Sequence, residues 1–172
     1  MKNIAETKIA LKRNVKDLLR IEYYSNTVED VDFGIIHSGY GWKEEDFIEY
    51  VRKKNTSIHI CQISNTIIGY IAFFKEKDTL YIDKLVIDPL LRKNGFGTVL
   101  LDFVKSLDFL KIICYVDEHD DTSIMFFKIK GFSSKLISNH FGKGKDAICF
   151  ERNKNEKTRT NQTKPNSRNT FR

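Results

Sequence analysis

Between Thr79 and Val104 the sequence reads TLYIDKLVIDPLLRKNGFGTVLLDFV. No other stretch restricts the fold as tightly. Leu80–Asp88 is rich in β-branched and aromatic residues and predicts a strand. Pro89 cannot donate to a ladder and ends it. From Asn94 onward Phe96, Val99, Leu100, Phe103 and Val104 recur at three- and four-residue spacing, which predicts a helix. The two are joined by Arg92-Lys93-Asn94-Gly95-Phe96-Gly97. Two glycines at a helix mouth let the backbone approach a ligand. The free N–H groups and positive dipole end there favour an anion, and Arg92 and Lys93 suit phosphate. The stretch predicts a pyrophosphate cradle. A plain surface turn with a Gly-rich helix start has the same short pattern.

Around this stretch, strands and helices follow in order. Glu6–Lys12 sets Ile9 and Leu11 against charged neighbours and predicts a first strand. Asn14 suits a helix N-cap, with Asp17 favourable in the first turn. Val15, Leu18, Leu19 and Tyr23 form the inward stripe of a helix ending near Tyr24. Asn26–Gly41 has no clear period, and loops this long are often functional. Trp42–Lys54 predicts a second helix burying Trp42, Phe47 and Val51. Thr56–Ser64 and Thr66–Phe74 alternate about Ser64-Asn65 and predict a hairpin. Lys75–Asp78 turns this into the strand of Tyr81, completing an antiparallel meander. Lys111–Val116 predicts a strand parallel to its predecessor, because a helix connects them. Thr122–Lys130 predicts a fourth helix, capped by Gly131. Phe132–Ser138 and Ala147–Arg152 predict closing strands around Gly142-Lys143-Gly144-Lys145.

A family resemblance rests on four segments. Val86-Ile87-Asp88-Pro89 with Arg92-x-x-Gly95-x-Gly97 resembles the acyl-CoA signature of the GNAT superfamily of N-acetyltransferases. Asp120 through Phe132, DDTSIMFFKIKGF, is similar to that family's N-x-x-A-x-x-F-Y-x-x-x-G-F. Asn139-His140-Phe141 and Asp146-Ala147-Ile148 resemble segments of its N-terminal protein acetyltransferases, the branch that includes the ribosomal-protein alanine enzymes. Gly41-Trp42-Lys43-Glu44-x-x-Phe47 resembles the P-W-S-E-x-x-F segment of the same branch. The resemblance covers most of residues 5–152.

The fold it implies is α/β in the α+β sense: a mixed, mostly antiparallel central sheet of about seven strands flanked by four helices. Residues 1–152 would form the N-acetyltransferase domain and residues 153–172 a basic, disordered tail. Acetyl-CoA would be the cosubstrate, with no metal. The resemblance places pantetheine along Leu85, Val86 and Ile87, as an added strand. It places pyrophosphate at Arg92, Lys93, Asn94, Gly95, Phe96, Gly97 and Thr98. Asp120 stands where the family carries an Asn. Tyr115 stands at the family's Glu base, and Phe127 at its general-acid Tyr. Another branch uses a Tyr matching Tyr81, together with a His matching Tyr115, through an ordered water. The resemblance therefore makes Tyr81, Tyr115 and His140 candidate catalytic residues. An unperturbed Tyr has a pKa of about 10 and would act mainly by orienting water, whereas an imidazole suits proton transfer. His37 has no partner evident in sequence. His119 adjoins Asp117, Glu118, Asp120 and Asp121, a cluster that could attract a cationic amine or bind a cation, although a solvated loop before a helix fits better. His59 reads as a strand's polar face. Cys114 could act as a nucleophile, but no His adjoins it and a core role fits better.

Composition narrows the alternatives. Among 172 residues, 41% hydrophobic content suffices for one sizeable core. No run approaches the roughly 18 apolar residues of a membrane span, and the N-terminus lacks a secretory apolar region. Cys61, Cys114 and Cys149 are odd in number and widely spaced, which fits core thiols in a reducing, cytoplasmic setting. From Arg152 onward lie seven of the 29 basic residues and one of the 23 acidic ones. The segment from Arg152 onward thus carries the whole net charge of +6. Three functional readings follow. The first is an acetyl-CoA-dependent N-acetyltransferase acting on a protein or peptide N-terminus, with a small amine or lysine as alternative acceptor. The second is an acyl-CoA-binding module with little catalysis, because Tyr115 and Phe127 replace both proton-transfer residues. The third is a weak nucleic-acid or ribosome contact through the tail, for which mere solubilisation is the simpler explanation.

Overall fold

The computed structural model describes residues 5–10, 12–27 and 41–154, the side chains of residues 12, 26 and 27 excepted. Its strands are β1 (Glu6–Ile9), β2 (Thr56–Ile63), β3 (Thr66–Glu76), β4 (Thr79–Ile87), β5 (Lys111–Asp117), β6 (Ser133–Ile137) and β7 (Ala147–Asn153). Its α-helices are α1 (Val15–Thr27), α2 (Glu44–Arg52), α3 (Phe96–Ser106) and α4 (Asp121–Ile129). The strands form one sheet in the order β1-β2-β3-β4-β5-β7-β6. Neighbours are antiparallel except β4 and β5, which are parallel and joined through α3. The mixed sheet and four helices predicted from sequence are present.

Two apolar cores sandwich the sheet. Leu80, Ile82 and Ile87 pack with Leu100, Leu101 and Val104 of α3 and Phe127 of α4. On the other face Ile58, Ile60, Tyr70 and Val86 pack with Leu18 and Ile21 of α1 and Phe47 of α2. β3 is buried continuously from Ile67 to Phe73 because both its faces are covered. Within it, Gly69 has no room for a side chain: a Cβ would stand 2.6 Å from the Val86 carbonyl oxygen. The β2–β3 hairpin turns at Ser64 and Asn65, with φ of 47° and 68°.

One irregularity positions the site. In the β3–β4 ladder Ala72 faces Lys84, but Phe73 faces Ile82, so Asp83 is an extra residue on β4. A bulge of this kind changes which face each later side chain meets. Leu80 and Ile82 lie in the α3/α4 core, whereas Lys84 and Val86 turn toward α1 and α2. Just beyond Ile82, β4 also leaves β5: their pairing runs from Thr79–Lys111 to Ile82–Cys114 and stops. The two strands fork there.

Several predicted details differ. β1 ends at Ile9, which is 62% exposed, and Leu11 is outside the described residues. Tyr23 is 64% exposed, while Ile21 and Glu22 point inward, because Glu22 finds a buried cationic partner. α2 starts at Glu44, two residues after Trp42, and buries Tyr50 while Val51 faces out. His59 is no solvated polar position: its ring stacks on Phe73 and lies 4.3 Å from Phe103 of α3, between their centroids. Asn153 belongs to β7, and Lys154 bonds Leu110 and Asp108, so the last strand runs one residue beyond its expected end at Arg152. Most of the Asn26–Gly41 loop, His37 and the basic tail are outside the described residues. All three cysteines are buried thiols.

Candidate active site

The predicted cradle forms one wall of a groove of about 340 Å³. Leu85, Val86 and Ile87 supply its strand side, and Arg92, Lys93 and Gly95–Thr98 its turn and helix mouth. Thr122, Ser123, Phe126, Ile129 and Lys130 of the α4 segment close the other side. Because β5 has departed, the β5-facing edge of β4 from Asp83 to Ile87 has no strand partner among the described residues. Gly95 caps α3 with φ of 86°, a left-handed conformation that a side chain would strain. Gly97 has ordinary space around it: an added Cβ would meet Leu85 at 3.5 Å and Phe126 at 3.6 Å.

The turn is held from within. Asp88 accepts from the Leu90 amide at 3.2 Å and starts the 3-10 turn Pro89–Leu91. Asn94 directs its side-chain amide back to the Leu91 and Arg92 carbonyls, away from the groove. Arg92 Nε donates to the Ile87 carbonyl at 3.2 Å. Burial lowers the Arg92 pKa, and Asp120 and Asp88 oppose that shift by favouring its charge. Asp120 does not line the groove. It caps α4 by accepting from the Ser123 amide at 3.0 Å, and burial pushes its carboxyl above the usual value. Its negative charge is thus met by a helix N-terminus and a guanidinium rather than by ligand space. Phe127 is fully buried against Phe132 and Phe150, in the core rather than the groove wall.

The opposite face of the fork carries the other candidates. Tyr81 stacks on Phe74 at 4.8 Å. Tyr115 and His140 stack on each other at 3.9 Å and 15°. His140 is placed by the β6–β7 turn, in which Asn139 donates its amide to Asp146 and accepts from the Gly144 amide. Burial, with Cys149 next to it, pushes the Tyr115 hydroxyl pKa upward.

Sequence reasoning missed Asp83. It stands at the fork, and the Tyr50 hydroxyl donates to its carboxylate at 2.6 Å. Burial raises its pKa above the usual carboxylate value, although the Tyr50 hydrogen bond and the Lys53 charge pull it down. Beside it, Lys84 is fully buried and paired with Glu22 of α1 at 3.0 Å. The trace in the sequence was Asp83-Lys84 itself, two adjacent charges inside an otherwise apolar strand. His119 is exposed beside Glu118. Among the described residues no cluster of His, Cys, Asp and Glu could hold a metal ion, and no helix is long and apolar enough to cross a membrane.

A groove ending at a strand fork can hold an extended ligand by its backbone. Across the fork stand one raised carboxyl and a row of aromatic rings. That arrangement can seat an amine and accept a proton from it.

Comparison with known proteins agrees with this geometry. A model described as the acetyltransferase (GNAT) family matches residues 17–132. Among solved structures, the ribosomal-protein-S18-alanine N-acetyltransferase of Escherichia coli superposes with a TM-score of 0.69 at 13% identity, covering 86% of this chain and 92% of that one. Ard1 of Thermoplasma volcanium gives 0.72 at 19%, covering 87% and 97%. The PaiA N-acetyltransferase of Thermoplasma acidophilum, in complex with coenzyme A, gives 0.69 at 14%, covering 87% and 99%. No curated protein matches the chain.

Proposed function

The chain belongs to the GNAT acetyltransferase family, uses acetyl-CoA as its cosubstrate, and, we propose, acetylates the α-amine of a protein N-terminus. Acetyl-CoA supplies the activated acetyl thioester; the groove fits such a ligand in shape and chemistry. The unpaired edge of β4 at Leu85, Val86 and Ile87 receives pantetheine amides as a further strand would. The N–H groups at the mouth of α3, from Asn94 to Thr98, meet pyrophosphate together with Arg92 and Lys93.

On the acceptor side Asp83 takes the ammonium proton, and Tyr81 orients a water on the proton's path. Tyr115 and His140 form the far wall, with Asp120 holding Arg92 from behind. Two segments that resemble the N-terminal acetyltransferases flank this face. One carries Trp42, whose ring packs on Tyr50; the other carries His140, stacked on Tyr115. The three buried free thiols fit a reducing, cytoplasmic setting. The basic tail is the place for any ribosome or nucleic-acid contact.

The observation that carries the choice of acceptor is the modest basicity of the groups at the fork. Asp83 is already engaged by Tyr50, and Tyr115 is pushed away from ionisation. A peptide α-amine, with a pKa of about 7.8, is roughly one-third neutral at pH 7.5, whereas a lysine is about 0.1% neutral. A weakly basic site therefore suits the α-amine. Mass spectrometry of peptides incubated with acetyl-CoA tests the reading. Acetyl located on the first residue supports it. Acetyl on lysine alone moves it to lysine, and binding without transfer returns the acyl-CoA-binding module.

A further inference from the structure

Glu22 is 2% exposed and Lys84 is fully buried. Both carboxylate oxygens of Glu22 lie 3.0 Å from Lys84 Nζ. The same carboxylate accepts from the Tyr70 hydroxyl and from the Trp42 amide, the latter at 3.1 Å. One side chain of α1 therefore collects donors from β3, from β4 and from the segment leading into α2. Burying two charges is costly, and apolar residues of similar size commonly serve stability as well or better. Such a pair is better explained by the arrangement it selects than by the stability it adds.

The arrangement it selects leads to the fork. Trp42 is anchored by its backbone to Glu22, and Lys84 Nζ lies 5.3 Å from the centre of its ring. The Trp42 ring packs at 4.7 Å on Tyr50 and at 5.1 Å on Phe47. Tyr50 in turn donates to Asp83, the neighbour of Lys84 on the bulge. The network closes on itself: Glu22, Trp42, Tyr50, Asp83, Lys84 and Glu22 again. Nothing in it reaches the groove on the α3/α4 side.

We infer that Glu22 and Lys84 are positioning residues for the acceptor amine. Through Trp42 and Tyr50 they fix the wall against which the acceptor rests and the orientation of the Asp83 carboxylate. The inference rests on the reading that the acceptor enters beside Asp83, and it adds a control point outside the cofactor groove.

The test uses the full chain and the double variant Glu22→Leu with Lys84→Met, which removes both charges together. Trp42 is the only tryptophan, so its emission reports the wall directly and independently of activity. The variant is expected to keep its melting midpoint within about 5 °C. Its acetyl-CoA KM should stay within about twofold, while the acceptor KM rises about tenfold or more. Trp42 emission should shift and become more open to acrylamide quenching. Unchanged Trp42 emission with unchanged acceptor KM overturns the inference. So does a parallel rise of both KM values, which marks a merely structural pair. Should the double variant not fold, Glu22→Gln keeps the shape and is read the same way. Transfer to lysine in place of the α-amine would sink the proposed acceptor but leave the Trp42 and KM readouts intact.

Discussion

The Tyr50 hydroxyl donates to the Asp83 carboxylate at 2.6 Å, across the bulge where β4 parts from β5. This bond joins a helix of one layer to an acid at the fork, and its consequences are measurable. Asp83→Asn should lower kcat by about 100-fold, the usual worth of a positioned general base, with acetyl-CoA KM unchanged. A kcat near that of the parent protein removes Asp83 from proton transfer.

Tyr50→Phe probes the same bond through pH. The hydroxyl pulls the Asp83 pKa down, against the burial that raises it. Removing that donor raises the pKa further, so the base is protonated over a wider acidic range. The acidic limb of kcat/KM should move to higher pH, and a limb that moves lower or stays fixed contradicts the assignment.

Gly97 tests the cofactor side. A methyl group there meets Leu85 and Phe126 at ordinary contact distances, so Gly97→Ala should fold and bind acetyl-CoA nearly as before. Gly97→Asp adds a carboxylate at the helix mouth, where the proposed ligand is anionic. Acetyl-CoA KM should rise about tenfold or more, without a matching loss of melting temperature. Gly95 is a poorer probe, because its left-handed backbone adds strain to any substitution.

His59 predicts a pH dependence of stability. Burial between Phe73 and Phe103 lowers its folded pKa. The unfolded chain, with a His pKa of about 6.5, then binds a proton that the folded chain resists. The stability of the neutral ring is complete above the unfolded pKa. It is lost as pH falls from there toward the lowered folded value. Asp83 and Asp120, whose carboxyls are raised, act with the opposite sign at lower pH. The melting temperature should fall on acidification below about pH 6.5, and His59→Phe should flatten that fall. An unchanged slope in His59→Phe would assign it to other groups.

Much of this molecule was legible in the linear sequence. Pro89 ends a strand and the glycines at 95 and 97 open a helix, so the groove wall could be read from local punctuation. The parallel β4–β5 pair followed from the helix between them. Asp83 could not be found that way. A bulge is a register event between two strands, and single-strand alternation does not reveal it. Glu22 lies outside the inward stripe that the spacing predicts for α1, and its partner Lys84 lies 62 residues away. The stacking of His140 on Tyr115 likewise depends on β7 inserting between β5 and β6. Tertiary pairing, not propensity, decided each of these.

The most direct test of the acceptor assignment compares two peptides of matched sequence. One carries a free α-amine and no lysine; the other has a blocked N-terminus and one lysine. Their kcat/KM values are measured with saturating acetyl-CoA at pH 7.5 and 9.5. Neutral-amine availability predicts a ratio above about 100 in favour of the α-amine at pH 7.5, shrinking at pH 9.5 as lysine deprotonates. A ratio near or below one at pH 7.5 would contradict the account.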